Sequence, residues 1–194
     1  MGKIVEQKRC KWVPLDDPLY VRYHDTEWGI PVHDDRILFE MLILEGMQAG
    51  LSWITVLRKR EGYRKAFDNF DIDKILTYDE QKIEELVQNP EIIRHRLKIT
   101  SVIQNAKAFR DIQNEYGSFD TFLWSYVNYT PVTGHWQKHE DIPATTPLSD
   151  KLSKDLKKRG FKFVGSTIIY AFMQATGIVN DHIIECFVYE EIVR

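Results

Sequence analysis

The chain has 194 residues, 43% of them apolar and 28% charged, with a formal net charge of −3. That balance excludes a disordered polymer and a protein coated in positive charge, while leaving room for local basic clusters that bind nucleic acid. No apolar run reaches the roughly 20 residues a bilayer span needs, two cysteines cannot build a disulfide framework, and residues 1–8 carry no apolar leader core, so a cytoplasmic protein that avoids membranes is expected.

Helical periodicity runs through nearly the whole chain. Residues 34–47 place Ile37, Leu38, Met41 and Leu42 on one stripe. Ser52 is set to cap a helix reaching about Phe67, and Asp79 to cap a short one ending near Gln88. Residues 94–116 carry Ile99, Val102, Ile103, Ala106 and Phe109 before the stop at Gly117. Short or amphipathic helices are expected over 118–127 and 149–159, and a buried one over 166–176. Asn180 or Asp181 would cap a last helix carrying His182 and Cys186. Strand alternation is weak everywhere, the best case being 161–164. The stretch 128–147 has three prolines and little periodicity, which suits a lid, a binding loop or an insertion. The fold class is all-α, one unit over 1–194. It would have two helical lobes, one built from both chain ends, and a hairpin near 89–98.

Two pairs of metal-ligand residues stand at opposite ends of the chain. Cys10 and His24 lie near the start. His182 and Cys186 lie near the end and would share a helix face. Cys₂His₂ is a set that zinc takes when its role is structural. The plainer alternative is two buried cysteines and two ordinary histidines.

Glu45 sits four residues after Met41 on the stripe of the 34–47 helix. There it is either a buried carboxylate at a pocket floor or a helix-end side chain reaching solvent beside Gly46. Trp12, Tyr20, Tyr23, Trp28 and Trp53 flank it in sequence. Such rings are often core, but around an acid they also suit a flat cationic ring. A damaged nucleobase is such a ring, and enzymes acting on bases flip them into stacking pockets. Basic clusters occur at 58–60, 94–98 and 157–162. The middle one follows Asn89-Pro90-Glu91, as expected where a hairpin and a helix N-terminus meet a phosphate.

Cys10-Lys11-Trp12-Val13, Asp17-Pro18-Leu19-Tyr20, Tyr23-His24-Asp25 and Glu27-Trp28-Gly29 resemble the opening of the bacterial 3-methyladenine DNA glycosylase I family. The resemblance continues through Leu44-Glu45-Gly46, the block 48–57, Ile92-Ile93-Arg94-His95-Arg96, the block 157–165 and Val179-Asn180-Asp181-His182. It implies a helix–hairpin–helix glycosylase fold with one structural zinc on Cys10, His24, His182 and Cys186. It implies that Glu45 and Tyr23 hydrogen-bond the base, with Glu45 the catalytic residue. Trp53 and Tyr20 would stack, and Trp12 and Trp28 would line the pocket. DNA contacts are expected from Gln48, Gly50, Leu51, Arg94, Arg96 and Lys162. The chain departs from the family's glycines at Glu91 and Leu97, and Lys11 also stands where a glycine is found.

The expected activity is a monomer's hydrolysis of the N-glycosidic bond of 3-methyladenine in double-stranded DNA, leaving an abasic site. Asp111 and Asp120 are the nearest aspartates that could assist attack, and neither is assigned. Two rivals are a non-catalytic module that senses alkylated bases and a zinc hydrolase. Four protein ligands leave the latter's metal no open position for water.

Overall fold

The computed structural model describes residues 7–193; residues 1–6, part of the segment read above for a leader, lie outside them. Eleven α-helices account for most of the described residues. They are α1 (Pro18–Thr26), α2 (Asp35–Gln48), α3 (Trp53–Arg58), α4 (Arg60–Ala66), α5 (Ile72–Ile75), α6 (Glu80–Gln88), α7 (Arg96–Tyr116), α8 (Phe119–Ser125), α9 (Pro147–Lys158), α10 (Ser166–Ala175) and α11 (Phe187–Val193). The all-helical class read from the sequence holds. The exception is one parallel bridge between β1 (Val132–Thr133) and β2 (Val179–Asn180).

The centre is α2. Asp34 caps it by accepting from the Ile37 N–H at 2.9 Å, and every residue from Leu38 to Met47 is buried. Helices α3, α7, α8 and α10 pack around it. A helix apolar on all sides must be covered on all sides, and α2 is, yet it buries two carboxylates. Glu40 is fully buried, with Oε1 accepting from Arg60 Nε (2.6 Å) and from Arg64 Nε and Nη2 (3.0 and 2.8 Å). Arg60 also reaches Glu27 at 2.5 Å. Arg60, read as part of a basic cluster, is therefore an internal strut.

Several local expectations need correction. The 52–67 helix breaks at Lys59 into α3 and α4. Helices α1 and α5 were not anticipated, although Asp17 before Pro18 is a strong start signal: its side chain accepts from the Leu19 and Tyr20 N–H groups. Residues 161–164 form a turn, with Phe163 at φ +57°, and no strand. The 128–147 stretch is not structureless, since it contains β1 and a 3₁₀ turn, and α9 begins earlier than expected under a Thr146–Ser149 capping box. His182 and Cys186 lie on no helix: 181–186 is extended chain and turn, and α11 starts at Phe187.

The hairpin between α6 and α7 is anchored from beneath. Lys59 Nζ donates to the Pro90 carbonyl (2.8 Å), and the Ile93 N–H donates to Tyr63 Oη (3.2 Å). Backbone and α4 approach so closely that a Cβ on Gly62 would stand 2.5 Å from the Glu91 carbonyl oxygen. Lys98, at the start of α7, donates to the Met47 and Ala49 carbonyls (2.8 and 2.7 Å) and so ties the hairpin to the end of α2.

Glu40→Ala would leave Arg36, Arg60 and Arg64 beside an emptied, buried partner site. Breaking such a pair costs about 3–5 kcal/mol. Urea denaturation is expected to show a loss of that order, and a loss under ~1 kcal/mol would mean the arginines find solvent instead.

Candidate base pocket and metal cluster

A cavity of about 260 Å³ opens over the last turns of α2. Its lining includes all six residues proposed for base binding: Trp12, Tyr20, Tyr23, Trp28, Glu45 and Trp53. They come from the N-terminal segment, α1, the turn after it, α2 and the start of α3. Trp12 stands edge-on to Trp28 (5.0 Å between centroids) and tilted to Tyr20 (5.2 Å), while Tyr23 lies 5.3 Å from Trp53. The rings thus brace each other and leave a slot.

Glu45 is 3% exposed, which removes the solvent-facing alternative. Its Oε2 has no hydrogen-bond partner among the described residues, and neither does Trp53 Nε1. Burial without a cation pushes the Glu45 carboxyl from its ordinary 4.5 up to about 8. Tyr23 and Tyr20 are also raised, first by burial and then by the charge of Glu45. An orphan acceptor and an orphan donor facing an aromatic slot are groups a ligand can satisfy.

Three further lining residues are not among the base contacts expected from the sequence. Gln174 on α10 donates from Nε2 to Asp181 Oδ2 (2.9 Å), which leaves its carbonyl oxygen for other partners. Ala171 precedes it by one turn. His139 enters from the 3₁₀ turn of the 128–147 stretch. Gln174 carried a weak signal, a lone amide in an apolar helix; His139 carried none. Asp111 and Asp120 do not line the cavity. Asp111 is exposed, and Asp120 pairs with His33 at 2.8 Å.

Three of the expected DNA contacts stand at the end of α2. Gln48 lines the pocket, and Gly50 and Leu51 are exposed on the turn that follows, Leu51 at 42%. Arg94 is exposed on the hairpin and makes no ion pair among the described residues. Arg96 differs: it pairs with Glu80 (2.7 Å) and Glu84 of α6, so it is not free to meet a phosphate without releasing them. Lys162 is exposed, and its backbone is clasped by Asn105 through two hydrogen bonds (2.8 and 3.1 Å).

Behind the aromatic wall, Cys10, His24, His182 and Cys186 converge, fully buried, with ligand atoms within 4.8 Å of one another. Cys186 Sγ lies 3.5 Å from His24 Nε2 and 3.4 Å from His182 Nδ1, and Cys10 Sγ lies 3.6 Å from His182 Nδ1. Ligands at ~2.3 Å (S) and ~2.0 Å (N) around a tetrahedral ion would be about 3.6 Å apart. Each imidazole has its other nitrogen engaged. His182 Nε2 donates to the Trp28 carbonyl (2.8 Å), and His24 Nδ1 pairs with Asp25 (2.7 Å), which Arg9 holds in turn. That outer shell turns both remaining lone pairs inward, as metal-ligating histidines require. Cys186 ionises more readily than an ordinary thiol, first because Cys10 donates to it and next because both imidazoles face it, with burial opposing. Gly29 adopts φ +81°, and a Cβ there would stand 2.8 Å from the His182 ring, so the chain can pass this ligand only as glycine.

The methyladenine glycosylase family profile matches residues 12–189. Similar proteins include DNA-3-methyladenine glycosylase 1 of Escherichia coli (strain K12), 53% identical over 94% of this chain and 97% of that one. Another is the DNA-3-methyladenine glycosylase of Haemophilus influenzae, 47% identical over 92% and 96%. A solved 3-methyladenine DNA glycosylase I superposes with a TM-score of 0.90 at 55% identity, covering 93% of this chain and 98% of that one. The Staphylococcus aureus 3-methyladenine DNA glycosylase I superposes at 0.89 with 38% identity over 92% and 95%.

The displaced Glu45 carboxyl links stability to pH. Unfolded it ionises near 4.5, and folded near 8, so the folded chain holds the extra proton between those values. Its stabilising contribution is complete below 4.5 and is lost as pH rises through 8. Glu45→Gln, which cannot ionise, should therefore gain thermal stability relative to wild type as pH goes from 5 to 9. Parallel melting curves across that range would show that the group is solvated.

Proposed function

The chain belongs to the methyladenine glycosylase family, and we propose that the slot over Glu45 receives an adenine extruded from duplex DNA. The protein is a monofunctional DNA repair glycosylase: it hydrolyses the N-glycosidic bond of 3-methyladenine in alkylated DNA and leaves an abasic site. Methylation at N3 gives adenine a positive charge, so the base departs neutral without prior protonation. The chain's work is then to extract the base, hold it by contacts that favour the alkylated form, and admit water.

The observation that carries the site assignment is the buried, partnerless Oε2 of Glu45 at the floor of an aromatic slot. As a carboxylate it accepts hydrogen bonds only, which suits an exocyclic amine and a cationic ring. Guanine presents an oxygen at that position and would be repelled. Tyr23 hydrogen-bonds the base from the side, Trp53 and Tyr20 stack on it, and Trp12 and Trp28 close the slot. Gln48, Gly50 and the exposed Leu51 enter the duplex and fill the place of the extruded base. The hairpin between α6 and α7 is the phosphate-binding element of a helix–hairpin–helix glycosylase fold. Arg94 and Lys162 serve as its cations, and Arg96 joins them only by exchanging its glutamates for phosphate.

Cys10, His24, His182 and Cys186 hold one structural zinc. Two thiolates and two imidazoles form a closed set for that ion, which neutralises charge that is otherwise costly to bury. The residues' own part is to join both chain ends behind the pocket, in one unit with two helical lobes.

Three outcomes test this reading. Glu45→Gln should lower single-turnover release of 3-methyladenine roughly ten- to a hundredfold, as expected for one lost buried polar contact of about 1–3 kcal/mol. Because a cationic ring favours the carboxylate, subsaturating excision by wild type should climb with pH towards about 8 and level off. In Glu45→Gln that climb should vanish, and an unchanged profile would remove Glu45 from the site. Elemental analysis should find one zinc per chain, and chelation should lower stability by several kcal/mol, since a structural zinc's binding energy is folding energy. A metal-free chain of unchanged stability would refute the clasp.

A further inference from the structure

A second concavity shares a wall with the base pocket. His139 lines both, and the second, about 440 Å³, is walled by Lys8, Arg9 and Lys11 of the N-terminal segment, by Lys138, and by the turn at 183–185. Four long cations and an imidazole thus face one groove in a chain of formal net charge −3. Two of the cations are already answered, Lys8 by Glu185 and Arg9 by a forked pair to Asp25 (2.8 and 2.9 Å). Lys11 and Lys138 are exposed and meet no acid among the described residues. Glu140 and Asp141, which follow, are not part of the groove wall.

The groove is held in place from both sides. β1 pairs with β2, the Ile184 N–H donates to the Trp136 carbonyl (2.9 Å), and Trp136 Nε1 donates to Asp181 Oδ1 (2.7 Å). On the other wall, the Phe187 N–H donates to the Lys8 carbonyl (2.9 Å). The cations are therefore spaced by a fixed backbone, although their side chains are long.

An extruded nucleotide stays in its strand, so the phosphates flanking it must pass close to the pocket mouth. Fixed cations beside that mouth are what a phosphodiester strand recognises, because each neutralised phosphate releases counterions. We infer that this groove binds the backbone of the lesion-bearing DNA strand, with Lys11 and Lys138 each meeting one phosphate, as a second contact separate from the hairpin. The inference rests on the slot being the base site.

The test uses the full chain with Lys11→Gln and Lys138→Gln combined, and duplex DNA carrying an abasic-site analogue. Removing two phosphate contacts should make the slope of log K against log [salt] shallower by about 1.8. Binding of free 3-methyladenine, followed by tryptophan fluorescence, should not change, and Lys11→Arg with Lys138→Arg should restore the slope. Neutral methylphosphonates placed one at a time beside the lesion should weaken wild type at two positions and leave the double glutamine variant unaffected there. A wild-type slope in the glutamine variant, or methylphosphonate effects that add to it in full, would overturn the groove. Failure of wild type to bind free 3-methyladenine would instead overturn the base-site reading beneath it.

Discussion

The meeting of Cys10, His24, His182 and Cys186 is the constraint on which the site depends. Each of the first two ligands is one or two residues from a pocket wall: Cys10 from Trp12, His24 from Tyr23. The third holds Trp28 through its carbonyl, and Trp28 lies 4.6 Å from the His182 ring. Three of the rings over Glu45 are thus placed by the same junction that joins the chain ends. Aromatic side chains are large and seldom position themselves on a short segment, so the slot borrows its rigidity from the cluster behind it.

Helix α2 carries two buried carboxylates five residues apart, and their surroundings separate their roles. Glu40 meets Arg60 and Arg64 and serves the fold. Glu45 meets no cation, so burial alone acts on it and lifts its pKa to about 8. The local sequence around each is similarly apolar. What differs is the partner helix: α4 presents arginines to one face of α2, while the face that bears Glu45 is left to the aromatic rings. A group displaced this far by desolvation, in a cleft, is a functional signature with a physical cause.

Much of this is legible in the sequence because helical periodicity is a strong signal, and α2, α6, α7 and α10 fall close to where apolar spacing and caps place them. The ligand quartet is legible from residue type, but its geometry is not. An i, i+4 pair suits a helix face, yet here a turn brings His182 and Cys186 together, and periodicity cannot distinguish the two. Glu45 could not be placed inside or outside by spacing alone, since the covering rings come from four other segments. Arg96 reads as a free cation only until its acids on α6 are seen. Nothing in the sequence marks His139, because its position depends on the β1–β2 bridge and the Trp136–Asp181 bond, both long-range.

Cys10 and His182 are 172 residues apart in sequence yet 3.6 Å apart in space. Closing so long a segment costs entropy, which the chain recovers only when the far partner arrives. Until His182 and Cys186 dock against Cys10 and His24, Trp12, Tyr23 and Trp28 lack the junction that places them over Glu45. A partly folded chain can thus present its hairpin and still have no slot for a base.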